Sequence, residues 1–171
     1  MRKKIKSGVY FLIIPSLTYF LHEVFHWLAY LFYGIDAFLT LNGIQLPEAQ
    51  LILTKEQQLI IYGSGVLFTF SQGILAYYLL LKRANKIAYI SLLSVFILRF
   101  AAELLNFAHP SDEGKISLAL GLPQHFISFF VVGLLAILVY RTVRHQNYSF
   151  LKVLGEMILV LLTIYLYSLL P

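Results

Sequence analysis

Long apolar runs, and not the one-sided periodicity of a water-facing domain, set the pattern of this chain. Five stretches are apolar on nearly every face: 8–33, 59–81, 87–106, 122–140 and 153–170. A hydrocarbon core of about 30 Å takes roughly 20 helical residues to cross, and a helix that is apolar all round belongs in lipid or in a large core. The pattern therefore predicts one domain, residues 1–171, folded as an all-α membrane bundle of five transmembrane helices. Two connections interrupt it. Residues 37–46 alternate around Asn42-Gly43, a dipeptide that supplies the positive φ angles of a tight turn. They predict a short β-hairpin after the first helix, Ala37–Leu41 paired with Ile44–Leu46. Before the fourth span, Ser111 offers a helix N-cap and Gly121-Leu122-Pro123 a stop. The helix between them, about Asp112 to Leu120, is too short to cross and should be interfacial or re-entrant.

Composition strengthens the membrane reading. The chain is 60% hydrophobic and 12% charged, with a mean hydropathy of +0.80, whereas soluble domains carry about 25% charged residues. The formal net charge of +5 would suit nucleic acid, but position excludes that partner. Arg2, Lys3, Lys4, Lys6, Lys82, Arg83, Lys86, Arg141, Arg144 and Lys152 flank spans on one side, against Lys55 and Lys115 on the other. Basic residues so placed mark the cytoplasmic side. The expectation is a cytoplasmic N-terminus, five crossings and an external C-terminus, with the cell membrane as host. The opening MRKKIK runs into apolar sequence without a small-x-small cleavage site, as in a retained signal-anchor helix.

Chemistry concentrates in the first span. His22-Glu23-Val24-Phe25-His26 is an H-E-x-x-H pattern. Helical residues four apart share a face, about 6 Å apart at Cβ, so both imidazoles can hold one zinc ion. Glu23 projects from the neighbouring face, free to take a proton from water and return it to a leaving amine. Ionisable groups inside a span each cost roughly a few kcal/mol and point to function. The bland alternative is interhelical hydrogen bonding by the two imidazoles.

A catalytic zinc usually takes three protein ligands and a water. The chain has no cysteine, which leaves Asp112, Glu103, His109, Glu113 and His125 as candidates for the third ligand. Taken together, several features resemble the site-2 protease family of intramembrane zinc metalloproteases, in particular its compact branch. They are the apolar HEVFH helix, the hairpin-bearing connection, the small-residue patch Gly63-Ser64-Gly65 and the run SDEGKISLALGLP, spread over about residues 8–140. The resemblance implies His22, His26 and Asp112 as ligands of one Zn2+ per chain and Glu23 as the catalytic base. It further implies hydrolysis of peptide bonds in membrane-embedded protein substrates, with Asn42 and Gly43 at a hairpin edge that receives an unwound substrate segment. Here Asp112 follows His109-Pro110-Ser111 and precedes Gly114, where the common form has Leu-Asp-Gly after an Asn-Pro element.

Arg99 and Glu103, four apart, suit an ion pair within one helix. Alternatively, Glu103 or Asn106 would orient a ligand imidazole through its second ring nitrogen. His125 and His145 read as interfacial, and Gly63, Ser64 and Gly65 as close-packing residues between the first two spans. Geometry adds one demand. His26 lies about seven residues, or roughly 10 Å, inside the outer end of its span, so a segment bringing Asp112 to it must dip below the surface. Two rival readings come from other classes: a membrane protein that binds or transports metal without hydrolysis, and an inactive scaffold.

Overall fold

The computed structural model describes residues 2–41, 43–46 and 52–170. Among these the order of elements is α1 (Arg2–Phe32), β1 (Phe38–Thr40), β2 (Gly43–Gln45), α2 (Lys55–Lys82), α3 (Lys86–Asn106), α4 (Asp112–Ala119), α5 (Phe126–His145) and α6 (Phe150–Ser168). Helices α1, α2, α3, α5 and α6 are each long and apolar enough to cross a bilayer. Leu12, Ile13, Leu31, Leu105, Phe130 and Leu166 stand 43–69% exposed on the bundle's outside. An apolar exterior of that kind is stable against lipid and not against water. The chain is a multi-pass membrane protein.

Local chemistry sets the helix ends. Thr54 and Gln57 form a reciprocal capping box at the start of α2, and Asn85 caps α3 by accepting from Ile87 and Ala88. Helices α1 and α4 both end with a glycine in the left-handed region, Gly34 at φ 66° and Gly121 at φ 76°. In each, the amide after the glycine folds back on the last turn: Ile35 N–H donates to Tyr30 O and Leu122 N–H to Ser117 O. This closure satisfies carbonyls that would otherwise face lipid without a partner.

Two boundaries differ from the sequence expectation. The fourth span starts at Phe126 and runs to His145, because residues 120–125 complete the turn out of α4, with Phe126 N–H bonded to Pro123 O. The hairpin forms, but its pairing is Phe38↔Gln45, Leu39↔Ile44 and Thr40↔Gly43. Gly43 is thus the first residue of β2 and pairs with Thr40. Thr40 Oγ1 donates to Gly43 O across the end of the ladder at 2.9 Å. Asn42, expected beside Gly43 at the turn and the substrate edge, lies outside the described residues.

Helix α3 is the axis of the bundle. Its apolar window is 61% buried, against 22–33% for the other four spans, and it packs on α1, α2, α5 and α6. At one end Lys86 reaches over the Phe11 ring, Gln146 Nε2 donates to Leu80 O at 3.2 Å, and the rings of Tyr89 and Tyr148 meet at 4.7 Å. These contacts gather the α2–α3 and α5–α6 turns around the first part of α1, the end rich in basic residues. The hairpin, α4 and the starts of α2 and α5 occupy the other end. There Trp27 Nε1 donates to Ala37 O at 2.9 Å and ties the chain entering the hairpin to α1.

Close approach of α2, α3 and α5 depends on Gly73, where a Cβ would stand 2.9 Å from Leu135 Cδ2 and 3.3 Å from Val95 Cγ1. Gly133, on α5, has nothing within 4 Å of such an atom. Gly73→Leu is expected to destabilise the bundle by about 1–3 kcal/mol through overpacking, and Gly133→Leu by less than about 0.5 kcal/mol. Unfolding of both variants in detergent micelles checks this, and equal effects would show that packing at Gly73 is not limiting.

Candidate metal centre

The site begins with helical spacing. On α1, His22 and His26 are one turn apart and almost wholly buried, at 3% and 5% exposure. Their Nε2 atoms lie 3.1 Å from each other. Asp112 is the first residue of α4, immediately after the N-cap Ser111, whose side chain accepts from the Gly114 amide. Its Oδ2 is 3.1 Å from His22 Nε2 and 3.2 Å from His26 Nε2. The three donor atoms form a nearly equilateral triangle. Tetrahedral ligands at about 2.0–2.1 Å from an ion stand about 3.3–3.4 Å apart, so this donor set fits a zinc-sized cation after a shift of a few tenths of an ångström. Two imidazoles and a carboxylate also match zinc in donor type.

Electrostatics prepare the carboxylate. Burial alone would raise the Asp112 carboxyl, but its hydrogen bonds with His22 and His26, and the charge of His26 when protonated, hold it well below the usual carboxylate range. It is therefore ionised at neutral pH, the form that binds metal. Its side chain keeps 24% exposure, and the site is open at that point.

Neighbouring groups fix the ligands. His26 Nδ1 lies 2.6 Å from Ile61 O on α2, so this nitrogen carries the proton and Nε2 is left free to act as donor atom. Ser64 Oγ also donates to Ile61 O, at 2.7 Å. Gly65 allows the rings to approach α2 at all: a Cβ there would stand 2.5 Å from His26 Nε2 and still closer to His22 Nδ1. Gly63 has no such neighbour. It lines an apolar groove of about 570 Å³ with Leu59, Ile60, Ser64, Leu67 and Val131. Of the small-residue patch, Gly65 is the member that lets α2 close on the histidines.

The hold on α4 comes from α3 and the start of α5. Asn106, fully buried, accepts from Ser111 N–H at 2.9 Å, donates to Glu103 Oε2 at 3.0 Å and accepts from Gln124 Nε2 at 3.2 Å. Gly114 packs directly on the Asn106 amide, leaving no room for a Cβ. Glu103 Oε1 meets His125 Nδ1 at 2.7 Å. Within α4, Glu113 is 1% exposed and accepts from Arg99 Nη1 at 3.0 Å. Removing one partner of a buried pair of this kind costs about 3–5 kcal/mol.

The tertiary structure corrects two expectations. Arg99 and Glu103 do not pair within α3; each takes a partner from another element, Glu113 and His125 respectively. Among the described residues, Glu103 and Asn106 are hydrogen-bonded to neither His22 nor His26. They clamp the segment that carries Asp112, and the Ile61 carbonyl orients His26. Glu113 and His125, weighed as third ligands, are bound to Arg99 and Glu103, and His109 is not part of the triad. Glu23 stands beside the triad, within electrostatic reach of His26, Asp112, Arg99 and Lys115. None of the ion pairs among the described residues includes it. No spacing rule pointed to Ile61, because a backbone carbonyl leaves no mark in sequence. Comparison with protein-family models, curated proteins and solved structures finds no match to this chain.

Detergent-purified protein is expected to carry about one zinc per chain, lost in His26→Ala and Asp112→Ala, by plasma mass spectrometry. Gly65→Ala should weaken zinc binding about tenfold or more by displacing both rings, with Gly63→Ala unchanged. Equal affinity in the two glycine variants would refute the packing role given to Gly65.

Proposed function

We propose that this chain is an intramembrane zinc metalloprotease of the site-2 protease kind, hydrolysing peptide bonds in membrane-embedded substrates. One observation carries the reading: inside an apolar bundle, two imidazoles and an ionised carboxylate converge on a single point, with Glu23, outside every ion pair among the described residues, alongside. Sites held together only by interhelical hydrogen bonds need neither that convergence nor a free acid.

Zinc held by His22, His26 and Asp112 would supply Lewis-acid polarisation of water and of the peptide carbonyl. The chain's own groups do the rest. Glu23 accepts a proton from water as the water oxygen bonds to the carbonyl carbon and the C=O π pair moves onto oxygen. That pair then returns, the C–N bond breaks, and Glu23 gives its proton to the leaving nitrogen. A helical substrate offers no free peptide bond, so it has to unwind locally. The strand β2 ends beside the site end of α1, where an extended segment can add to its open edge. The apolar groove at Gly63 and Ser64 opens the same region toward lipid.

Orientation follows from charge. The ten basic residues that flank spans on one side gather at the end opposite α4, which we assign to the cytoplasm of a cell membrane. The metal centre then lies nearer the external face.

Glu23→Gln separates proteolysis from metal carriage. It is expected to keep its zinc while cleavage of a reconstituted single-span substrate falls about 10²–10⁴-fold. Undiminished function in that variant would favour a metal-binding or transport role, and a wild type that holds zinc but cleaves no helical substrate would favour a scaffold.

A further inference from the structure

Among the described residues Arg99 is the largest fully buried side chain, at 2% exposure, and it sits in a membrane span. Its five N–H donors need acceptors, and few are present. Nη1 donates to Glu113 Oε1 at 3.0 Å. Among the described residues Nε has no hydrogen-bond partner. Nη2 faces His22, 3.2 Å from Nε2 and 3.4 Å from Nδ1.

A guanidinium serving only as counter-ion to Glu113 would turn its fork so that two N–H groups meet two carboxylate oxygens. Here the second carboxylate oxygen, Oε2, takes Ser111 Oγ at 3.3 Å instead. The guanidinium is rotated away, toward the donor triangle. The imidazole that it faces cannot satisfy it once the site is loaded. With His22 Nε2 as the atom that would hold the metal, Nδ1 of the neutral ring would carry the proton. Neither nitrogen would be left to accept, so Nη2 would be a buried, charged donor without an acceptor at the edge of the donor triangle. A donor so placed calls for an oxygen bearing negative charge.

We propose that Arg99 is a catalytic residue that donates hydrogen bonds to the substrate carbonyl oxygen as it gains negative charge. The inference rests on the hydrolytic reading above and names the second electrophile of that site. Glu113 holds the guanidinium at the correct height by fixing Nη1, and Asp112 and Glu113, consecutive in the first turn of α4, divide the work: one meets the imidazoles and the other the arginine. Preorganised donors at an oxyanion are among the largest contributions to acyl-transfer catalysis.

The test uses small-anion binding to the Co2+-substituted full-length protein in detergent, with acetate as probe and the visible d–d absorption as readout. The variants are Arg99→Met and the double variant Arg99→Met/Glu113→Met, which removes both charges and leaves neither unpaired. Wild type is expected to bind acetate. At least one variant should keep about one cobalt per chain and bind acetate about tenfold or more weakly, the loss expected for one charge-assisted hydrogen bond. Unchanged affinity in a cobalt-loaded variant overturns the proposal, as does a cobalt-loaded wild type that binds no acetate. Loss of cobalt from both variants also overturns it, by assigning Arg99 to holding His22 in place. A wild type that takes up no cobalt overturns the metal centre itself, a distinct result.

Discussion

A carboxylate on a helix too short to cross the membrane is held against two imidazoles inside a span that does. Most of the polar architecture answers that one constraint. An ionised Asp112 below the surface is tolerable only with partners, and it has two. The backbone that brings it there must also be satisfied, since lipid offers neither donors nor acceptors. Ser111 caps α4, Gly121 closes its far end, and Ser117 Oγ accepts the Ile127 amide at the start of α5 at 3.2 Å. Asn106 joins these pieces to α3. The short helix is therefore fixed in place by hydrogen bonds from two crossing helices.

Small residues make this depth reachable. Polar glue alone would leave α2 too far from the histidines for Ile61 O to meet His26. Gly65 removes the side chain that would stand between them, and Gly114 does the same between α4 and Asn106. At both places a backbone comes close enough to form a short hydrogen bond or a direct amide contact. In lipid, where apolar burial gives little drive to bring helices together, such close contacts are a main source of association.

The charges in the bundle are arranged in matched sets. Arg99 lies between Glu113 and the imidazoles, Glu103 answers His125, and Asp112 answers the histidine pair. Glu23 stands outside these sets beside the triad, the position that a proton acceptor requires. A bundle needing charges only for registry would have paired it. The proposed hydrolysis would use an open carboxylate, a three-donor triangle and a buried guanidinium with unmatched donors in one place. Each of the rival readings leaves at least one of them without a use.

What the sequence determined is what depends on neighbours along the chain. Apolar runs mark the five spans because crossing length and hydropathy are local quantities. The spacing of His22 and His26 puts two imidazoles on one face whatever packs against it, and Ser111 and Gly121 delimit α4 by capping chemistry within a few residues. Even there, boundaries of a few residues escaped. Gly43 belongs to β2 because it pairs with Thr40, and α5 starts late because the turn out of α4 takes up residues 120–125. Only the tertiary structure decided the rest. Arg99 has a carboxylate four residues away on its own helix, yet it takes Glu113, and Glu103 takes His125, because α3 turns those side chains toward α4 and α5 and not along its own surface. The convergence of Asp112 on the histidines and the Ile61 carbonyl on His26 span 86 and 35 residues of chain. Such contacts are fixed by which helix faces meet at what depth, a property of the packed bundle that no local pattern encodes.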